Sequence, residues 1–185
     1  MKTNFTSYRL KRRMFFLLSS LFFILIGLSS NAQLGVYSFT GAGACPNQNP
    51  NVTTQPANAV LSVYSTSGGS LACYPTSDVY EYRHWNQNNS IDPTEYNQFS
   101  ITANTNYTIT LTSLSFAQFG DQYLGSTAWI LRSSIDNYAT SIASGTVTTI
   151  SQTPTVNLPA ADFTNINAVT FRLYIINAGR FTVGV

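Results

Sequence analysis

VTFRLYI, residues 169–175, decides the fold. Val169, Phe171, Leu173 and Ile175 are apolar and Thr170, Arg172 and Tyr174 fall between them, the period of two that marks a strand with one buried face. A second layer must cover that apolar stripe. Arg172 then points away from the core, where its long side chain can lie over aromatic neighbours.

The same pattern recurs upstream. In GSTAWILRSSIDNYATSIASGTV, residues 125–147, Trp129 and Leu131 share one face and Ile130 and Arg132 the other. Asp136-Asn137 supplies a turn, and Ile142 to Thr149 returns as a Ser/Thr/Val strand. Arg132 is expected beside Arg172 on the outer face. In QFSITANTNYTITLTSLSF, residues 98–116, Phe99 and Ile101 alternate with polar residues, Asn104-Thr105-Asn106 turns, and Tyr107, Ile109 and Leu111 alternate on return. After Leu111 the apolar phase slips to Leu114 and Phe116, which predicts a β-bulge near Thr112-Ser113.

Nearer the start, Leu34 to Thr40 reads as a strand closed by Gly41-Ala42-Gly43, and Pro46 to Asn58 as a long surface loop. Ala59 to Tyr64 reads as a short strand stopped by Ser67-Gly68-Gly69-Ser70. No window keeps apolar residues at helical spacing over three turns. Strands at short spacing, turn clusters between them and one buried face each predict an all-β chain: a two-layer antiparallel β-sandwich, jelly-roll or Ig-like. Phe99, Ile109, Phe171 and Leu173 are its expected inward residues.

Residues 1–32 have a different character. Lys2, Arg9, Lys11, Arg12 and Arg13 precede an apolar run from Met14 to Leu28, and Ser30-Asn31-Ala32 supplies small residues at a cleavage position. Together these predict a secretory signal peptide over 1–32 and one domain over 33–185. The competing reading, a retained membrane anchor, needs about 20 apolar residues, and the run stops short. Removing 1–32 leaves four arginines (Arg83, Arg132, Arg172, Arg180) against seven carboxylates, a net charge of −3 with no lysine. Nucleic acid is therefore not an expected partner, and Schiff-base or P-loop lysine chemistry is excluded. Neither is the membrane, once the signal is cleaved. A secreted or extracellular product, cell-surface included, is expected.

Export places Cys45 and Cys73, the only cysteines, where disulfides persist. Pairing would close a loop of about 29 residues and stabilise the fold by roughly 3.5 kcal/mol on the chain-entropy model. Zinc is the alternative, but two cysteines without a partner histidine or CxxC spacing do not make a zinc signature. No cofactor or metal is expected.

YNQFSITANTNYTITLTSLSF (96–116), WILRSSID (129–136) and VTFRLY (169–174) together resemble a jelly-roll-like β-sandwich domain of secreted Bacteroidota proteins. That resemblance covers most of residues 34–185 and rests on sheet residues, not on a catalytic signature. It implies a type IX secretion-associated protein. Members continue with a longer loop and a last strand reading W-R-I-D-N-V. Here the loop after Tyr174 is short, Phe181 stands near the expected tryptophan and no acidic residue follows, so the chain reads as truncated at its C-terminus, with its last strand incomplete.

Catalytic classes find little support. His84 is the only histidine, and no GxSxG elbow surrounds any serine. Asp78 with Glu81, and Asp92 with Glu95, read as solvated loop charges, and Asp121 and Asp136 as turn residues without a calcium-ligand string. The most suggestive constellation spans Asp78 to Tyr96, where Tyr80, Tyr82, Trp85 and Tyr96 stand among amide and carboxylate groups, the equipment for stacking on a sugar while bonding its hydroxyls. The competing reading buries Tyr80 and Tyr82 on one strand face and uses Trp85 as a plug at the sandwich edge. The expected function is a non-catalytic structural or adhesion-type module whose partner is a glycan or a surface protein. The alternative is a carbohydrate-binding module using residues 80–96.

Overall fold

The computed structural model describes residues 35–40, 51–68, 71–73, 79–122 and 127–183, without the side chains of 51, 121 and 122. The segment 1–32 predicted as a signal peptide, Gly41 to Gly43, Cys45 and Asp78 lie outside them. Fourteen strands lie within the described residues: β1 (Val36–Ser38), β2 (Asn51–Thr54), β3 (Ala59–Leu61), β4 (Ser65–Ser67), β5 (Ala72–Cys73), β6 (Tyr80–Arg83), β7 (Tyr96–Ala103), β8 (Ser113–Ser115), β9 (Gln118–Gln122), β10 (Ala128–Ser133), β11 (Ala143–Thr146), β12 (Thr155–Asn157), β13 (Ala168–Ile176) and β14 (Ala178–Val183). A 3-10 turn (Ser134–Asp136) and one α-helical turn, α1 (Ala160–Phe163), interrupt them.

The larger sheet runs β11-β10-β13-β7-β3, with β4 also on β7. The second runs β5-β6-β14-β9, and β1-β2 and β12-β8 form separate pairs. Every strand pairing is antiparallel. The protein is an all-β antiparallel sandwich, and one apolar core takes side chains from both sheets. From the larger sheet come Trp129, Leu131, Val169, Phe171, Leu173 and Ile175, all buried; Tyr80, Phe181 and Val183 come from the second. Phe99 is half-buried and stacks on Phe171 at 5.4 Å, and Ile109 is buried in the same core.

β13 and β14 are the central feature. The first lies between β10 and β7, the second between β6 and β9, and Asn177 alone joins them. Asn177 has φ 56°, the left-handed region that asparagine tolerates better than most residues. Its backbone N–H donates to Asn86 O at 2.7 Å, and its carbonyl accepts from Thr127 Oγ1 at 2.7 Å. A single pinned residue thus carries the chain from the middle of one sheet to the middle of the other.

Several sequence expectations change. The Pro46–Asn58 segment is not all loop: Asn51–Thr54 pairs with β1, Tyr37 standing opposite Val52, because Val52 adds an apolar side chain to the core inside an otherwise polar run. The turn at Asn104 to Asn106 forms, with Tyr107 N–H donating to Asn104 O at 3.0 Å. The return strand does not pair with β7, however. Both flanks of β7 are already taken, by β13 and by β3 and β4, so residues 107–111 pair elsewhere, Ile109 bridging Ile166.

The phase slip after Leu111 has a cause other than a local bulge. Leu111 N–H donates to Phe163 O, while Thr112 O accepts from Leu158 N–H. The neighbouring chain inserts α1 between those two partners. The extra residues sit in the partner, opposite the slip.

A bulge does occur along β7's other flank. Leu61 stands opposite Ile101 but Ser65 opposite Gln98, one residue more on one side than on the other. It turns Tyr64 inward and leaves Val63 exposed. Tyr64 then closes an aromatic cluster with Tyr37, Phe39, Tyr80 and Phe99, at ring separations of 5.1 to 6.1 Å.

Burial holds the phenols of Tyr64 and Tyr80 well above the usual tyrosine range, and that of Tyr37 above it. The folded pKa is raised, so this stability is complete below the unfolded value of about 10 and is lost as pH climbs beyond it. Denaturation midpoints are expected to fall steeply above about pH 10, with tyrosinate absorbance appearing together with loss of the fold. Ionisation of every tyrosine before any loss of structure would refute the buried cluster.

Candidate functional site

The four aromatic residues singled out between 80 and 96 do not form one surface. Trp85 is 1 % exposed, its ring is edge-on to Phe181 at 6.2 Å, and its Nε1–H donates to Tyr82 O at 3.0 Å. Tyr80 is buried in the aromatic cluster, and Tyr82 is half-buried with its ring 5.1 Å from that of Tyr80. The physical reason is register: Tyr80 and Tyr82 stand opposite Val183 and Phe181, both core residues, so their strand face is the inward one. Trp85 and Tyr80 therefore cannot serve as stacking platforms. Tyr96 alone of the four lies on the outer face of the larger sheet.

That outer face carries the arrangement with the most chemistry. Arg132 and Arg172 stand directly opposite each other on β10 and β13, and Arg172 stands opposite Gln98 on β7. The Arg172 guanidinium lies between two rings, 4.0 Å from the centroid of Tyr96 and 3.9 Å from that of Tyr138. Its Nε–H donates to Gln98 Oε1 at 3.4 Å. Arg132 lies 5.8 Å from the ring of Tyr174, which is buried beneath it and edge-on to Tyr96 at 5.8 Å, and donates from Nη1 to Tyr138 O at 2.9 Å. Stacking of this kind contributes about 0.5–2 kcal/mol per contact.

The turn that presents Tyr138 is held in an unusual conformation. Asn137 and Tyr138 both have positive φ, 57° and 61°, uncommon for a bulky residue. The Asp136 carboxylate fixes this turn by accepting from the N–H groups of Ala139 and Thr140 and from the Thr140 hydroxyl. Those bonds, the Thr140 hydroxyl first, hold its pKa below the usual carboxylate range.

The candidates for acid–base work sit in different settings. His84 is exposed, at φ 65°, its own N–H bonded to Gly179 O at 3.1 Å. Asp92 accepts from Thr94 N–H and Oγ1–H, which lowers its pKa, and Glu95 is buried. Glu81 is buried and ion-paired with Arg83 at 3.1 Å. Among the described residues no three His, Cys, Asp or Glu side chains converge as a metal set, and no helix is long and apolar enough to cross a membrane. Cys73, half-buried on β5, is not a free cysteine.

Sequence reasoning placed Arg132 and Arg172 side by side but missed Tyr138, Tyr174 and Gln98. Two of these were legible from alternation, since Tyr174 and Gln98 fall on the outward phase of their strands. Tyr138 was not, because a turn residue has no phase.

No family model matches the chain, and no curated protein matches it. Among solved structures it is similar to a variant of CBM29-2, a family 29 carbohydrate binding module, at 11 % identity and a TM-score of 0.41 over 81 % of this chain and 87 % of that one. It is also similar to two cleaved adhesin domains of Lys-gingipain from Porphyromonas gingivalis. One matches at 14 % identity and a TM-score of 0.37 over 70 % of this chain and 88 % of that one, the other at 14 % and 0.36 over 63 % and 76 %. At TM-scores below 0.5 neither likeness bears on what this chain binds.

Proposed function

We propose that the protein is a non-catalytic, extracellular, adhesion-type β-sandwich module that binds through the outer face of its larger sheet. The observation that carries this reading is the half-exposed layer of Tyr96, Arg172 and Tyr138, prearranged by stacking and by the Asp136-pinned turn. Rigid amphipathic rings flanking hydrogen-bond donors are suited to recognition. The exposed His84, the Asp92 carboxylate held by Thr94 and the Glu81 carboxylate paired with Arg83 support a binding role over a catalytic one. Export under the 1–32 signal and a Cys45–Cys73 disulfide belong to the same proposal.

A carbohydrate-binding module is the second reading, favoured by the same stack and by the Gln98 amide beside it, with Tyr96 retained from the original four residues. The test is a glycan array read beside a broad hydrolase screen. Specific retention is expected, lost in Tyr138→Ala with the melting temperature lowered by only a few degrees, and with no turnover of any substrate. Turnover dependent on His84 would sink the proposal.

A further inference from the structure

Two cross-strand arginine pairs exist in the sandwich, and they differ in their company. Arg83 and Arg180 stand opposite each other on β6 and β14, where Glu81 ion-pairs with Arg83 and Asp121 stands opposite Arg180 in register. Arg132 and Arg172 have no such compensation. Among the described residues the one ion pair is Arg83–Glu81, and the nearest acidic group in sequence, Asp136, is turned onto its own loop.

Like charges directly opposite on a sheet repel, so a chain that holds two guanidinia together without a carboxylate needs another reason for doing so. Each guanidinium has five N–H donors in a rigid fork. Arg132 uses one on Tyr138 O, its Nε is buried without a hydrogen-bond partner, and Arg172 uses one on Gln98 at the long distance of 3.4 Å. Stacking between Tyr96 and Tyr138 fixes the plane of Arg172 and so the direction in which its remaining donors point.

We infer that the Arg132–Arg172 pair is a binding site for the oxyanion of an acidic polysaccharide, a carboxylate or a sulfate ester. Two oxygens of a carboxylate or of a sulfate group match a guanidinium fork in two-point geometry. Two arginines on a domain, residues 33–185, of net charge −3 are too few for a nucleic-acid backbone, whereas the half-exposed rings of Tyr96 and Tyr138 offer the flat apolar border that a sugar ring needs. This inference rests on the binding-module reading of the same face.

Retention of the purified protein on immobilised polygalacturonate, on dextran sulfate and on unsubstituted dextran separates the possibilities. Salt-sensitive retention on one or both polyanions is expected, and which of them is held identifies the oxyanion. Arg132→Gln and Arg172→Gln should each weaken it about tenfold or more, with Arg172→Lys between them and the parent. Arg83→Gln should leave it unchanged. Melting curves for each variant guard against misfolding, and the Lys variant keeps the test decisive should the Gln variants not fold. Equal retention on unsubstituted dextran, or retention indifferent to both arginines, overturns the oxyanion site while leaving a binding module intact. Cleavage of any of the three polymers overturns the module reading itself.

Discussion

Replacing Trp85 by alanine is expected to cost about 3–5 kcal/mol of stability, lowering the melting temperature by an amount of order 10 °C. Trp85 is 1 % exposed and packs edge-on against Phe181, a central residue of β14. The substitution removes the indole, leaves a cavity against Phe181, and deprives the Tyr82 carbonyl of its Nε1–H donor. Thermal and urea denaturation measure the loss directly. A stable variant that had lost ligand binding would instead make Trp85 a recognition residue and refute its assignment to the core. The contrast with Tyr138→Ala is the useful one, since that change on the outer face is expected to reduce binding and leave the core alone.

Trp85 also shows where sequence reasoning stops. The strands that alternate, Trp129 to Arg132 and Val169 to Ile175, were legible because a period of two assigns each side chain to a face, and their burial follows that assignment at every residue but Tyr174. Even the outward arginines and their proximity followed. The segment from His84 to Glu95 has no period, because it is a loop crossing the end of the sandwich, and composition alone cannot tell an aromatic plug from an aromatic platform. Tyr174 adds a subtler case: it is on the outward phase of β13, yet 2 % exposed, because Arg132 and Tyr96 lie against it. Phase gives a side chain's direction and says nothing of what covers it there.

The pairing of strands was less legible than their existence. The Asn104 to Asn106 turn suggested a hairpin because the two flanking stretches both alternate, and local pattern carries no information on whether a strand's flanks are occupied. Asn177 is the converse: a polar residue in an apolar stretch that reads as a loop and proves to be the corner between two central strands. Its buried backbone is satisfied by Asn86 and Thr127, both distant in sequence, so nothing in residues 175–178 announces it.

Phe171→Ala tests the sandwich itself and is expected to cost about 3–5 kcal/mol, a large fraction of the 5–15 kcal/mol typical of a folded domain. Phe171 is 2 % exposed at the centre of β13 and joins three parts of the chain through its ring: it stacks on Phe99 of β7 at 5.4 Å and on Phe163 of α1 at 5.7 Å, and its strand neighbours are β7 and β10. The helical turn α1 contains no other buried residue, so Phe163 is its only anchor and loses its stacking partner when Phe171 is cut back. Since the two rings touch, Phe163→Ala and Phe171→Ala should be non-additive, the double variant losing less than the sum by about 0.5–1.5 kcal/mol, the range for an aromatic pair beyond its area burial. Urea unfolding of the four proteins measures this coupling. Simple additivity, or a loss below about 1 kcal/mol for Phe171→Ala, would mean that the ring is not packed between the layers and that the stripe read from VTFRLYI does not form the core.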